Sequence, residues 1–203
     1  MNRDDTSKPA AAGPLSDHER ADLVLMREEE RLARDLYRRF HQAWDVPIFA
    51  NIAASEQRHY DAIGRLLKRY NVPDPSAGKP PGVYADTELQ DAYDGWLARG
   101  LSSAQGAYQV GVELETGDIA DLSAALEALE ALQSSDEAAI HRVYENLRSA
   151  SHNHLRAFEA AISGRPLGSG RRWRRRGGAQ GGDGCGGGRG GHGPRGGRGR
   201  RDS

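Results

Sequence analysis

Glu56-Gln57-Arg58-His59 sets a carboxylate and an imidazole three residues apart, which puts both on one face of a helix. Together they offer the oxygen and nitrogen donors that bind divalent first-row metals. They interrupt an otherwise apolar stripe at alternating spacings of 3 and 4: Phe49, Ile52, Glu56, His59, Ile63, Leu66, Tyr70. Three other stripes are polar near their middles. The first is Leu23, Met26, Glu30, Ala33, Tyr37, Phe40; the second is Tyr108, Gly111, Glu115, Asp118, Leu122, Ala125, Leu129; the third is Ile140, Tyr144, Leu147, Ser151, His154, Phe158. Each interruption has an ordinary reading by itself, since a lone seam glutamate usually reaches water and a lone core histidine is usually hydrogen-bonded. Four at one level are harder to explain that way. Buried carboxylates without a compensating cation cost several kcal/mol each, on the order that makes four in one core untenable. A bound metal pair supplies that cation, with Glu30, Glu56, His59, Glu115, Asp118 and His154 as its expected ligands.

The elements that must carry these residues are helices. No period-2 pattern of useful length occurs, whereas several long stretches have helical spacing, which predicts an all-α fold. A first helix opens at Ser16, where Ser16 and Glu19 are spaced as a capping box, and runs to about Ala43 before Asp45-Val46-Pro47. A second runs from about Pro47 to Tyr70. Residues 71–86, rich in Pro and Gly, read as a crossover. A short helix over Thr87 to Arg99 precedes a long one from about Ser102 to Leu132, whose Gly106, Gly111 and Gly117 weaken it. Ser134-Ser135-Asp136 should cap a last helix reaching about Ser163. Glu30, Glu56, His59, Glu115 and Asp118 then fall near the midpoints of their helices, and His154 lies roughly 7 Å past its own at about 1.5 Å per residue.

These residues resemble the ferritin-like superfamily, in its rubrerythrin-like branch. Glu30-Arg31-Leu32-Ala33-Arg34-Asp35-Leu36-Tyr37 is similar to the first helix of such proteins, and Glu56-Gln57-Arg58-His59 to their Glu-x-x-His. Arg27 to Asp35, Ala54 to His59, Asp118 to Leu122, Tyr144 to Leu147 and Asn153 to Phe158 resemble a bacterial and archaeal ferritin-like family without an assigned reaction. The resemblance covers about residues 15–158. It implies a four-helix bundle with a carboxylate-bridged di-iron or di-manganese centre, and chemistry with a small oxidant such as oxygen or peroxide. One departure stands out: such sites take a Glu from each of two helices and Glu-x-x-His from each of the other two, whereas Ser151 stands three residues before His154. Asp118, three residues after Glu115, would restore four carboxylates and two histidines. Zinc is the main competitor by raw affinity.

Around this set, Glu113 is the rival to Glu115. Glu28 and Glu29 read as a solvated face, His141, Glu145 and His152 as surface or supporting residues, and Tyr37 and Tyr108 as core aromatics rather than redox groups.

Charge divides the chain of 203 residues and net charge −1 into unlike parts. Residues 164–203 hold eleven Arg against two Asp and no Lys or Glu, hence +9, and leave −10 for the remainder. Seventeen of the 26 glycines also lie there, a composition that predicts a disordered tail. Three segments follow: residues 1–14 as a disordered start, 15–163 as the helical bundle, and 164–203 as the tail. Arg171, Arg172, Trp173, Arg174, Arg175 and Arg176 combine counterion-releasing charge with a base-stacking face, which suits nucleic acid without sequence preference. The competing reading is a tail that docks on the acidic body. No apolar run approaches the roughly 18 residues of a membrane span, and the start of the chain lacks an apolar signal stretch, so cytoplasmic residence is expected. The single cysteine, Cys185, excludes an internal disulfide, a cysteine-ligated metal and a rubredoxin-like electron relay; its thiol could link a homodimer.

Overall fold

A computed structural model describes residues 15–132 and 138–164. The expected Ser134-Ser135-Asp136 cap, residues 1–14, the Arg171 to Arg176 cluster and Cys185 lie outside the described residues. Five helices and no strands occur among them: α1 (Asp17–Trp44), α2 (Pro47–Arg69), α3 (Thr87–Ser102), α4 (Ala104–Leu132) and α5 (Ala138–Ile162). None is long and apolar enough to cross a membrane.

The capping box forms as expected. Glu19 N–H donates to Ser16 Oγ at 3.2 Å while Ser16 N–H donates to Glu19 Oε2 at 2.6 Å, so two donors that the helix start leaves unpaired are satisfied. At its other end Asp45 turns left-handed (φ 49°) and its N–H closes on His41 O at 2.8 Å, after which Pro47 opens α2 with a φ already suited to the first turn. Asp86 caps α3 through the Glu88 and Leu89 amides. The joint between α3 and α4 differs from the expectation: α3 continues three residues beyond Arg99, and the break is a single extended residue, Ser103, whose Oγ accepts from Gly106 N–H at 2.9 Å. Gly100, Gly106 and Gly111 are contact points, whereas nothing lies within 4 Å of where a Cβ on Gly117 would stand. A Cβ on Gly100 would stand 2.2 Å from the Phe40 ring, and one on Gly111 would stand 2.7 Å from that of Phe158.

The four long helices pack as two intimate pairs, α1 on α2 and α4 on α5, joined through α2 with α5 and α1 with α4; α3 lies along α4 and α1. Every member of the four stripes is buried except Tyr108, which is half-buried, and α1 and α4 bury further residues beside theirs. Two apolar clusters result. Leu23, Met26, Ile63, Leu66, Leu122, Leu126, Ile140 and Leu147 fill one end with mainly aliphatic side chains, and the rings of Tyr37, Phe40, Phe49 and Phe158, packed among aliphatic residues such as Leu36 and Val110, fill the other. On every long helix the two clusters are separated at the same level by the polar residues of the stripe.

A second buried polar layer lies on the other side of α1. Arg31, 2 % exposed, ion-pairs with Glu28 at 3.0 Å and donates to the carbonyls of Pro80 and Val83 at 2.7 and 2.9 Å. Arg27 pairs with Asp74 at 2.7 Å, and Asp35 accepts from Arg34, from Gly82 N–H at 3.0 Å and from Tyr84 Oη at 3.2 Å. The segment 71–86 is thereby fastened to α1 by charge-assisted bonds. Glu28 is buried here, and Glu29 is partly buried facing α4, so the solvated face expected for the two is not present; the neighbouring arginines and the docked crossover cover it.

Candidate metal centre

Glu30 from α1, Glu56 and His59 from α2, Glu115 from α4 and His154 from α5 meet between the two apolar clusters, each 8 % exposed or less. Each offers one atom to one of two groups, Glu30, Glu56 and His59 or Glu56, Glu115 and His154, and the three atoms of each group lie within 4.8 Å of one another. Glu56 belongs to both. Its Oε2 lies 2.7 Å from His59 Nδ1 and its Oε1 lies 2.8 Å from His154 Nδ1, so one carboxylate faces an imidazole on either side. The second carboxylate of each group completes it: Glu30 Oε2 is 3.2 Å from His59 Nδ1, and Glu115 Oε2 is 3.4 Å from His154 Nδ1. The two rings are stacked with centroids 5.8 Å apart.

His154 Nδ1 stands within ion-pair distance of Glu56 Oε1 at 2.8 Å and Glu115 Oε2 at 3.4 Å, yet none of these three buried atoms has a partner aligned for a hydrogen bond. Around His59 a single ring nitrogen faces two carboxylates, although it can carry only one hydrogen. Lone pairs converging on a shared volume, with too few hydrogens to satisfy them, are what a cation site requires. These buried carboxylate and imidazole groups can therefore bind metal.

The electrostatics agree. Burial raises Glu30 well above the ordinary carboxylate range, and Glu56 adds to it. Burial also acts upward on Glu56, but His154 and His59 outweigh it and hold that carboxyl down to about 2. Burial would lower both imidazoles; instead the facing carboxylates lift His59 to about 10 and His154 to about 9. Glu115 is pushed up to about 7, by burial before all else, with Glu56 adding to it and His154 acting against it. Protons thus hold the layer together wherever a metal does not.

Asp118 is buried beside the set but belongs to neither group of three. Burial raises its carboxyl well above 3.8, and Glu115, Glu30, Glu29 and Glu56 reinforce the shift. Its Oδ2 has no partner, nor has Oγ of Ser151, which is 1 % exposed. Of the two candidates on α4, Glu113 is exposed and ion-paired with Arg99 at 2.6 Å, which leaves the buried position to Glu115. His152 is exposed and His141 faces Glu130 and Glu145 at the surface.

Tyr37 does more than fill the core. Its ring packs on Phe158 and Phe49, and its hydroxyl donates to Glu115 Oε1 at 2.7 Å. The signal was in the spacing, since Tyr37 stands seven residues after Glu30 on the same stripe, within reach of the polar layer. Ser55 Oγ approaches the other nitrogen of His59, Nε2, at 3.5 Å; it lies one turn before His59 on the edge of that stripe.

A family profile described as an uncharacterized protein domain, DUF2202, matches residues 19–169. The chain belongs to the DUF2202 family. Over 145 residues the chain is 41 % identical to the uncharacterized protein MJ0754 of the archaeon Methanocaldococcus jannaschii, covering 71 % of this chain and 75 % of that one. The crystal structure of hypothetical protein MJ0754 superposes with a TM-score of 0.69 at 39 % identity, over 75 % of this chain and 83 % of the other. The DUF2202 match takes in every residue of the polar layer and ends before Arg171.

Proposed function

We propose that this DUF2202 protein is a ferritin-like four-helix bundle whose polar layer holds a carboxylate-bridged pair of iron or manganese ions for redox chemistry with dioxygen or peroxide. The observation that carries the reading is Glu56, one carboxylate shared by two groups, with an imidazole against each oxygen. Glu30 and His59 would hold one ion and Glu115 and His154 the other, with Glu56 between them. Oxygen-rich donors with one nitrogen per ion suit iron and manganese. Bound there, the pair supplies electrons to a small oxidant.

The chain's own residues set the conditions for that chemistry. The aliphatic and aromatic clusters exclude bulk water from either side. Tyr37 fixes the orientation of Glu115 through its hydroxyl, while His59 and His154 would have to give up the protons they carry to offer a lone pair to a metal. Asp118 stands close enough to act on the layer electrostatically and is the carboxylate that would compensate for Ser151.

Full-length protein loaded with ferrous iron should consume dioxygen or peroxide, and Glu56→Ala should abolish both iron retention and consumption. Retained iron without any consumption would favour a second reading, a metal-binding module without turnover. The family match ends at residue 169, which favours treating the residues beyond it as a separate appendage, and their Arg171, Arg172, Trp173, Arg174, Arg175 and Arg176 give that module a contact for nucleic acid. Deleting the tail should then remove salt-sensitive nucleic-acid binding and leave metal content intact.

A further inference from the structure

Outside the five central residues, Glu29 of α1 and Asp118 and Asp121 of α4 line a narrow cleft of about 80 Å³ between α1, α3 and α4. Its remaining walls are apolar, among them Leu32, Leu89, Trp96 and Leu114, and no basic side chain lines it. Asp118 forms its inner end. That side chain is more than nine-tenths buried, its Oδ2 has no hydrogen-bond partner, and Glu29 Oε2 is likewise buried and unpartnered. Asp121, one turn further along α4, is exposed at the mouth and acts on Glu29 electrostatically. Asp118 is acted on in the same way by Glu29 on one side and by Glu115, Glu30 and Glu56 on the other. The carboxylates therefore form a continuous acidic series from solvent to the polar layer.

We propose that Glu29, Asp118 and Asp121 form an outer site for a hard divalent cation, through which ions enter the inner centre. Only carboxylate oxygens are offered, without imidazole or thiolate, which selects manganese, ferrous or magnesium ions and binds them more weakly than the inner set. At about 80 Å³ the cleft is roomy enough for an ion that keeps part of its water shell. An ion that must lose its shell to enter a dry layer is well served by a half-dehydrated stop one helical turn away. The entry role rests on the inner centre proposed above; the outer site itself does not.

Titration of chelator-free, full-length protein with manganese, followed by electron paramagnetic resonance of the free ion, tests both parts. Wild type should bind the tight inner ions and a weaker one. Asp121→Asn and Glu29→Gln should each lose the weaker ion and slow inner loading about tenfold, as expected when a focusing acidic cleft is neutralised, while final inner occupancy stays the same. Glu56→Ala should lose the tight ions and keep the weak one. A weak ion that survives in both cleft variants, or is absent from wild type, overturns the outer site; its loss with no change in loading rate overturns the entry role. Tight ions retained in Glu56→Ala would instead overturn the inner centre, and loss of the weak ion in the cleft variants would still support the outer site.

Discussion

Two buried polar layers flank α1, and they are built on opposite principles. On the outer side each carboxylate has its cation: Glu28 has Arg31, Asp74 has Arg27 and Asp35 has Arg34. On the inner side Glu30, Glu56 and Glu115 converge with two histidines, and among the described residues their ion pairs are with histidine alone. A layer that carries its own countercharge is structural. One that lacks it is either held by protons or filled by a metal, and the two layers should answer differently to the same perturbations.

The largest difference should come from removing a charge partner. Arg31→Met leaves Glu28 buried beside two crossover carbonyls with no donor, and should cost about 3–5 kcal/mol with a matching fall in melting temperature. Glu30→Gln in metal-free protein should cost less than about 1 kcal/mol, because burial and Glu56 already disfavour the charged form of that carboxyl and the amide replaces it at equal size. Thermal unfolding of both variants checks the contrast; equal losses would mean that the inner layer is salt-bridged like the outer.

Metal comes next. Binding to the folded state alone adds about 2.7 kcal/mol at a hundredfold excess over Kd, so manganese or ferrous iron should raise the melting temperature of wild type and of Asp74→Asn well beyond that of Glu56→Ala, which keeps only the weaker outer ion. An unchanged melting temperature for wild type would place no cation in the inner layer.

The pH dependence should then reverse with loading. In metal-free protein the folded state holds Glu115 up to about 7 against an ordinary 4.5, and His59 and His154 up to about 10 and 9 against 6.5. All three bind protons more tightly when folded. Their stabilisation is present in full below the ordinary values and is lost as pH rises through 7 for Glu115 and through 9 to 10 for the histidines. Metal must displace those protons, so its affinity grows over the same interval, and uptake at pH 7 should release at least the two imidazole protons. Melting curves from pH 5 to 10 should fall for metal-free protein and flatten or rise for loaded protein; parallel curves would contradict the assignment.

The smallest effect belongs to a partly exposed member of the outer layer. Burial acts upward on Asp74, but Arg27 and Ser76 outweigh it and keep its carboxyl below 3.8. Its contribution is present above that value and lost as pH falls below it. Asp74→Asn should cost about 1 kcal/mol or less, since solvent screens the pair, read as a small drop in melting temperature at neutral pH that vanishes in acid.

The inner layer was legible in the sequence because it obeys local periodicity. Every member of the α1, α2 and α5 stripes is buried, and α5 buries the stripe residues Ile140, Tyr144, Leu147, Ser151, His154 and Phe158 and no others among those described. The outer layer was not legible, because Arg27, Arg31 and Asp35 find partners some fifty positions away in a segment with no period of its own. Arginine and glutamate on a helix look solvated until a crossover lies on them. Asp118 shows the limit of the stripes themselves. Periodicity places it on the face of Glu115, but not the depth that leaves it beside the two groups and at the end of the cleft. The break at Ser103 was misplaced for a simpler reason: Gly100 to Gly106 has no capping signal stronger than its neighbours, and the Phe40 contact that fixes Gly100 comes from another helix.

The central claim is that the inner layer needs a metal pair where the outer needs none. Elemental analysis of full-length protein purified without chelators, compared with Glu56→Ala purified in parallel, tests it most directly. Two ions of iron or manganese per chain in the first, one for each group, and a loss of both in the second is the expected result. Metal-free wild type that cannot be loaded, or equal metal in the two proteins, would contradict it.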